Sequence, residues 1–228
     1  MRLILVGPPG SGKGTQAKLL SQRQGLTHIS TGDMLREAIR LGTPAGRNAQ
    51  PFVSTGQLVP DDLVNQIIAD FFRRENRPDN FVLDGYPRTL PQGVSFDQVL
   101  RQQFLSLDVV VLLKVDDEEI VRRMSGRWVC PNSACGAPYH TAYKPPRKKG
   151  ICDNCGTRLI QRDDDKEQTV RKRLAIFHAS HGDLLEHYRR VGLLREVPGL
   201  GDIESIYANI LQVLQYFVGS NSQGSQGR

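Results

Sequence analysis

No stretch of this 228-residue chain approaches the length of a membrane-spanning helix, so a transmembrane reading is excluded. The opening run Met1-Arg2-Leu3-Ile4-Leu5-Val6-Gly7 is also too short for the apolar core of a signal peptide, which makes the cytoplasm the expected compartment. Aromatic residues make up only 7%, and no basic tract has aromatics interleaved with it. That absence argues against a nucleic-acid surface, although the formal net charge is +6. With neither nucleic acid nor membrane expected as partner, small phosphorylated substrates remain to match the excess of positive charge. No internal repeat is present, and a monomer is expected. Cysteine is scarce, with four residues in all, and in a reducing compartment these read as metal ligands before disulfides.

What the chain does contain is ordinary for a soluble enzyme: 39% hydrophobic and 24% charged residues. Its length suffices for one sizeable core carrying small insertions. Apolar runs alternate with amphipathic stretches, the pattern of a parallel sheet covered by helices. Strands are expected at 2–6, 27–29, 81–83, 109–113 and 193–197, with helices starting near Lys13, Thr31, Asp61, Pro91, Glu118, Glu167 and Ile203. Two segments interrupt the alternation. Residues 30–59 read as helical with breaks at Gly42, Pro44 and Gly56, whereas 127–162 carry all four cysteines and no helical periodicity. Residues 219–228 form a low-complexity tail expected to be disordered.

The segment Gly7-Pro8-Pro9-Gly10-Ser11-Gly12-Lys13-Gly14-Thr15 follows a strand and opens a helix, the context of a phosphate-binding loop. The glycines turn backbone N–H groups inward on phosphate oxygens. The helix N-terminus adds partial positive charge, and Lys13 a full one. In the common pattern the hydroxyl residue directly follows the lysine. Here Gly14 intervenes and the hydroxyl comes at Thr15, so a direct magnesium contact from it is not assigned.

Four motifs in order carry a resemblance. GPPGSGKGTQ resembles the loop of nucleoside monophosphate kinases, and Ser30-Thr31-Gly32-Asp33-Met34-Leu35-Arg36 looks like that family's monophosphate-binding segment. Asp84-Gly85-Tyr86-Pro87-Arg88-Thr89 with Gln92, and Asp163-Asp164-Asp165 followed by Thr169-Val170-Arg171-Lys172-Arg173, are similar to the adenylate kinase signature and the far side of its lid.

The resemblance implies an α/β P-loop three-layer fold with a parallel five-stranded sheet. The core would comprise 1–29, 60–126 and 163–218, with an AMP-binding helical insertion at 30–59 and a zinc-bearing lid at 127–162. It implies reversible phosphoryl transfer from ATP to AMP giving ADP, with Mg²⁺ accompanying ATP. Because such transfer brings anionic oxygens together, catalysis rests on alignment and charge compensation, for which converging guanidinium groups are suited. By resemblance, Arg36 and Arg88 hold the AMP phosphate. Arg123 lies beside the ATP adenine, and Arg127 reaches the ATP phosphates. Arg162 and Arg173 close over the transferring group. Gly10, Ser11, Gly12, Lys13, Gly14 and Thr15 cradle ATP, joined by Pro138 and Tyr139 of the lid and by Gly201. Thr31, Gln57, Leu58, Val59, Gly85, Tyr86, Pro87 and Gln92 frame AMP. A side-chain amide such as Gln92 can both donate to and accept from an adenine edge. Asp84, an acid ending the apolar run Phe81-Val82-Leu83, fits a position that orients magnesium through water.

Cys130-x4-Cys135 and Cys152-x2-Cys155 can each form one corner of a tetrahedral thiolate site. Zinc-bearing relatives in the family usually space the first pair by two residues, so this knuckle is widened. Structural Zn²⁺ is the expected occupant, with disulfides and free thiols as the alternatives. His178 and His181 sit three apart on a helix with no third ligand, and both are expected to be exposed or capping. Trp128 is expected to pack the lid. Two rivals remain: a GTP-preferring AMP kinase of the same build, and a zinc-ribbon nucleic-acid-binding ATPase.

Overall fold

A computed structural model describes residues 1–221. The strands in chain order are β1 (Arg2–Val6), β2 (Thr27–Ser30), β3 (Phe81–Asp84), β4 (Val109–Lys114), β5 (Arg127–Val129), β6 (Pro138–His140) and β7 (Leu194–Pro198). The helices are α1 (Lys13–Gln24), α2 (Thr31–Arg40), α3 (Pro44–Thr55), α4 (Asp61–Phe72), α5 (Leu90–Gln102), α6 (Asp117–Ser125), α7 (Glu167–Arg190) and α8 (Ile203–Asn221), with a short 3₁₀ turn at Asp163–Asp165.

Strands buried on both faces are near-continuous apolar runs, and the buried parts of β1 (Leu3 to Val6), β3 (Phe81 to Leu83) and β4 (Val109 to Leu113) are. They sit inside a five-stranded parallel sheet of order β2-β3-β1-β4-β7. Alternate residues divide between two cores. Ile4, Phe81, Leu83 and Val110 pack toward Phe72 of α4, Phe96 of α5 and Tyr188 of α7. Leu3, Leu5, Val82 and Val111 pack toward Leu20 of α1 and Ile210 of α8. The result is the expected three-layer α/β arrangement.

Of the expected breaks in 30–59, Gly42 and Gly56 fall between helices and Pro44 is the first residue of α3. Ser30 caps α2 by accepting from Asp33 N–H at 3.2 Å, and Thr43 caps α3 with Pro44 in its first turn. Gly46 lets α3 lie directly on α2, since a Cβ there would stand 2.1 Å from the Ala38 carbonyl oxygen. The cysteine-bearing segment contains an antiparallel pair, β5 with β6, which hydrophobic periodicity did not reveal because each strand is only three residues long. Around it lies a small core of Ala137, Tyr139 and Leu159 with two of the cysteines, and Trp128 packs against it. Helix α8 runs to Asn221, so it takes in the first residues of the tail expected to be disordered; residues 222–228 lie outside the described residues.

One helix end is strained. Phe104 N–H donates to the Arg101 carbonyl (3.1 Å) and Leu105 N–H to that of Leu100 (2.9 Å), a glycine-type termination of α5. Its pivot is a phenylalanine at φ 56° whose side chain is 98% exposed. Asparagine tolerates that conformation better. Phe104→Asn should therefore stabilise the fold by about 0.5–1 kcal/mol, read as a higher denaturant midpoint at unchanged slope. A lower midpoint would show that the ring contributes more than the strain costs.

Candidate active site

The phosphate loop joins β1 to α1, and Gly12, at φ +98°, supplies the left-handed turn that starts the helix. Lys13 Nζ folds back to donate to the carbonyls of Gly7 (2.7 Å) and Pro8 (2.8 Å). Burial pushes its ammonium down to about 8; Asp84 opposes this, while Arg88, Arg173 and Arg127 add to it. Asp84 ends β3, in register with Leu5 of β1. Its Oδ2 would lie 3.3 Å from a Cβ placed on Gly14. A side chain at position 14 would press on the strand-end carboxylate, a close contact that glycine avoids.

Arginines from different elements gather around this loop. Arg88 Nε donates to the Gly85 carbonyl at 2.7 Å. Arg173 pairs with Asp164 at 2.8 Å, Arg36 with Asp33 at 2.6 Å, and Arg127 Nε with Asp165 at 2.9 Å. Burial and the Arg173 charge bring Arg88 down to about 10. Burial, with Arg36 and Arg127 nearby, does the same for Arg162. Arg173 is lowered as well, chiefly by burial. Cations that depress one another's proton affinity form an arrangement that gains from a polyanion between them.

Two cavities meet at these residues. A cleft of about 510 Å³, open to solvent, is lined by Lys13, Pro87, Arg88, Arg173, Phe177 and His181 among others. A smaller one of about 270 Å³ is lined by Thr31, Leu58, Val59, Gly85, Arg88 and Gln92, together with Leu35 and Val64. Arg88 and Leu58 belong to both linings. On the far side of the phosphate loop, Arg123 Nη1 donates to the Gly199 carbonyl at 2.9 Å. A Cβ on Gly199 would lie 3.5 Å from the Ser11 carbonyl oxygen, so the turn leading to Gly201 borders the loop.

Not every candidate residue is gathered in this way. Gln57 is exposed and outside both linings. Tyr86 is 1% exposed, its hydroxyl bonded to Asn65 Oδ1 (2.7 Å) and the Gln92 carbonyl (3.1 Å). Tyr139 lies in the lid core and its hydroxyl accepts from Asp153 N–H at 2.7 Å. The Gln92 amide is largely committed: Oε1 accepts from Arg88 N–H and Nε2 donates to Asp61, each at 2.7 Å. One lone pair and one N–H are left for a ligand.

The two α7 histidines separate. His178 is exposed and reaches Asp117 at 3.0 Å, as expected. His181 is not exposed but buried, and it lines the large cleft, where burial and the Arg88 and Lys13 charges push its imidazole down to about 3. Leu35, Val64, Ile176 and Phe177 also line the cavities without having been identified from sequence. The signal for the α7 set was present: Arg173, Ile176, Phe177 and His181 share one face at helical spacing.

In the lid no disulfide joins any of the four cysteines, and every pair of sulfurs lies within 4.8 Å. Cys130 and Cys155 Sγ are 3.4 Å apart, Cys135 and Cys152 Sγ 3.6 Å. Sulfurs at about 2.3 Å from a tetrahedral zinc would stand about 3.8 Å from one another, so the cluster fits that ion.

Comparison with known proteins agrees with this geometry. The sequence model of the family described as adenylate kinase matches residues 5–193. The chain is 46% identical over 214 residues to the adenylate kinase of Caldicellulosiruptor bescii, covering 94% of this chain and 99% of that one. It is 43% identical over 217 residues to that of Methanothrix thermoacetophila, covering 95% and 100% respectively. For the adenylate kinase of Archaeoglobus fulgidus the identity is 44% over 215 residues, covering 94% and 98%. The protein is thus an enzyme of the nucleoside monophosphate kinase class. Within that class the chain belongs to the adenylate kinase family.

Proposed function

We propose that this chain catalyses reversible transfer of a phosphoryl group from ATP to AMP, giving two ADP, with Mg²⁺ as the companion of ATP. The observation that carries the reading is the pair of cavities sharing Arg88 and Leu58. One contains the phosphate-loop lysine, and the other is small and framed by Thr31, Gly85 and Gln92. A donor site and an acceptor site that adjoin at one guanidinium suit direct transfer between two nucleotides.

In this reading residues 30–59 hold AMP and residues 127–162 form the lid over ATP, both hinged on the core of 1–29, 60–126 and 163–218. The loop residues Gly10 to Thr15 wrap the ATP phosphates. Arg123 lies beside the ATP base, and Pro138, Tyr139 and Gly201 contact ATP. Thr31, Gln57, Leu58, Val59, Gly85, Tyr86, Pro87 and Gln92 frame AMP, the last through its remaining amide groups. Arg36 and Arg88 anchor the acceptor phosphate. Arg127 and Arg173 leave their aspartates and, with Arg162, follow the transferring group, and closure excludes the water that would otherwise take it. Asp84, beside Gly14 and close to Lys13, would orient the magnesium ion, which when bound screens the charge of the terminal phosphates. The reading includes a cytoplasmic monomer acting on free nucleotides, with neither nucleic acid nor membrane as partner. Consistent with it, no helix among the described residues is long and apolar enough to cross a membrane.

The test is ADP formation from equimolar ATP and AMP with and without Mg²⁺, repeated with GTP as donor and with CMP and UMP as acceptors. ATP hydrolysis that ignores AMP would overturn the reading, and equal kcat/KM for AMP and CMP would overturn the assignment of the small cavity to adenine.

The four lid thiolates hold structural zinc in this reading, since four protein ligands leave no open position for chemistry. The lid core contains few apolar side chains beyond the cysteines themselves, so binding free energy becomes folding free energy there. Chelation, or Cys152→Ser with Cys155→Ser, is expected to lower the melting temperature while activity at low temperature falls only partly. Elemental analysis should find about one zinc per chain. A metal whose removal abolished turnover without altering stability would instead be catalytic.

A further inference from the structure

Among the described residues, one hydrogen bond joins the body of the lid to the core away from the lid's own hinges. Lys18, on α1, donates from Nζ to the Gly136 carbonyl at 3.1 Å, across 118 residues of sequence. The bonds from Gln161 Nε2 to the Ser125 carbonyl and from Thr141 N–H to the Gly126 carbonyl differ in kind, because both end where the lid leaves the core. Among the described residues Lys18 makes no ion pair, and its other surroundings leave the ammonium to this one carbonyl.

The acceptor is held firmly. Gly136 follows the widened cysteine knuckle, where Asn132 organises the turn: its carbonyl accepts from Cys135 N–H (2.9 Å) and Gly136 N–H (2.8 Å), and its side-chain oxygen accepts from Ala134 N–H (3.0 Å). Gly136 itself is left-handed at φ +53°, and a Cβ there would stand 3.8 Å from Lys18 Nζ. The donor is carried by α1, the helix that begins at the phosphate loop, five residues beyond Lys13.

We propose that Lys18 is a positioning residue for the reaction, a latch that docks the lid's cysteine knuckle onto α1 and so sets how much of the free enzyme is already closed. The inference rests on the assignment of the lid to ATP. A hydrogen bond with a net worth of about 1 kcal/mol shifts a two-state equilibrium about fivefold. Loss of the latch raises the cost of closing the lid over ATP. It leaves AMP binding alone, because Lys18 and Gly136 line neither cavity.

The experiment compares wild type, Lys18→Met and Lys18→Arg as full-length, metal-loaded protein. Solution scattering reads the free enzyme's dimensions, and steady-state kinetics read kcat and both KM values. Expected for Lys18→Met are an expanded free enzyme and a KM for ATP raised about two- to fivefold with that for AMP unchanged. A kcat equal to or above wild type is also expected, since opening to release product becomes easier. Lys18→Arg, which keeps the donor, should resemble wild type. Unchanged scattering and unchanged KM for ATP in a folded Lys18→Met would overturn the latch. Expansion with a raised KM for AMP alone would uphold the latch and overturn the assignment of the lid to ATP.

Discussion

Lys13→Met is expected to lower kcat by at least ~10²-fold while leaving the melting transition in place. In the free enzyme the ammonium holds the loop carbonyls of Gly7 and Pro8. Phosphate oxygens would draw it off them, placing a full charge where negative charge moves during transfer. Methionine keeps the length and loses the charge, so loss of rate without loss of fold isolates the electrostatic part. The same residue sets a pH limit. Its proton affinity is lowered to about 8 in the free enzyme, above all by burial. Arriving phosphates favour the charged form and raise it again. Lys13 is therefore mostly charged below pH 8, and ATP binding above that pH must recruit a proton. Wild-type kcat/KM for ATP should accordingly decline as pH rises through about 8 and beyond, while Lys13→Met lacks that limb. A lysine variant with near-normal turnover, or one that keeps the limb, would remove Lys13 from the mechanism.

Arg88→Ala should reduce kcat/KM for AMP by about 10- to 100-fold and affect KM for ATP less. Arg88 lines both cavities, and its Nε is tied to the Gly85 carbonyl at 2.7 Å. That bond fixes one edge of the guanidinium and leaves the other for an acceptor phosphate, a bidentate partner alanine cannot replace. Mutual repulsion adds a second effect. Arg173 and Lys13 both feel the Arg88 charge, so its loss relieves part of the strain among the cations. The variant is therefore expected to be no less stable than wild type even as acceptor binding fails. If KM for ATP rose and that for AMP did not, donor and acceptor cavities would have to be exchanged.

The histidine pair shows where sequence reading stops. His178 and His181 are both on α7, and their spacing alone does not distinguish them. Packing does: one meets Asp117 at the surface, the other faces the cleft beside Phe177. Gln92 gives a similar lesson. Its residue type suits reading a base, but only the folded chain brings Asp61, thirty-one positions away in sequence, to occupy one of its N–H groups.

By itself the sequence determined the phosphate loop, the five core strands to within a residue or so, the interruptions at Gly42, Pro44 and Gly56, and the set of arginines available to anions. All of these follow from local chemistry: closely spaced glycines, continuous apolar runs, turn residues and charge are written along the chain. Tertiary structure decided what required distant segments to meet. It placed the Asp84 carboxylate against Gly14, put Arg88 at the junction of two cavities, closed four sulfurs to within 4.8 Å, and set Lys18 under the lid. The reason is that a side chain's partners depend on which faces its element buries, and that is fixed only when sheet, helices and insertions pack together.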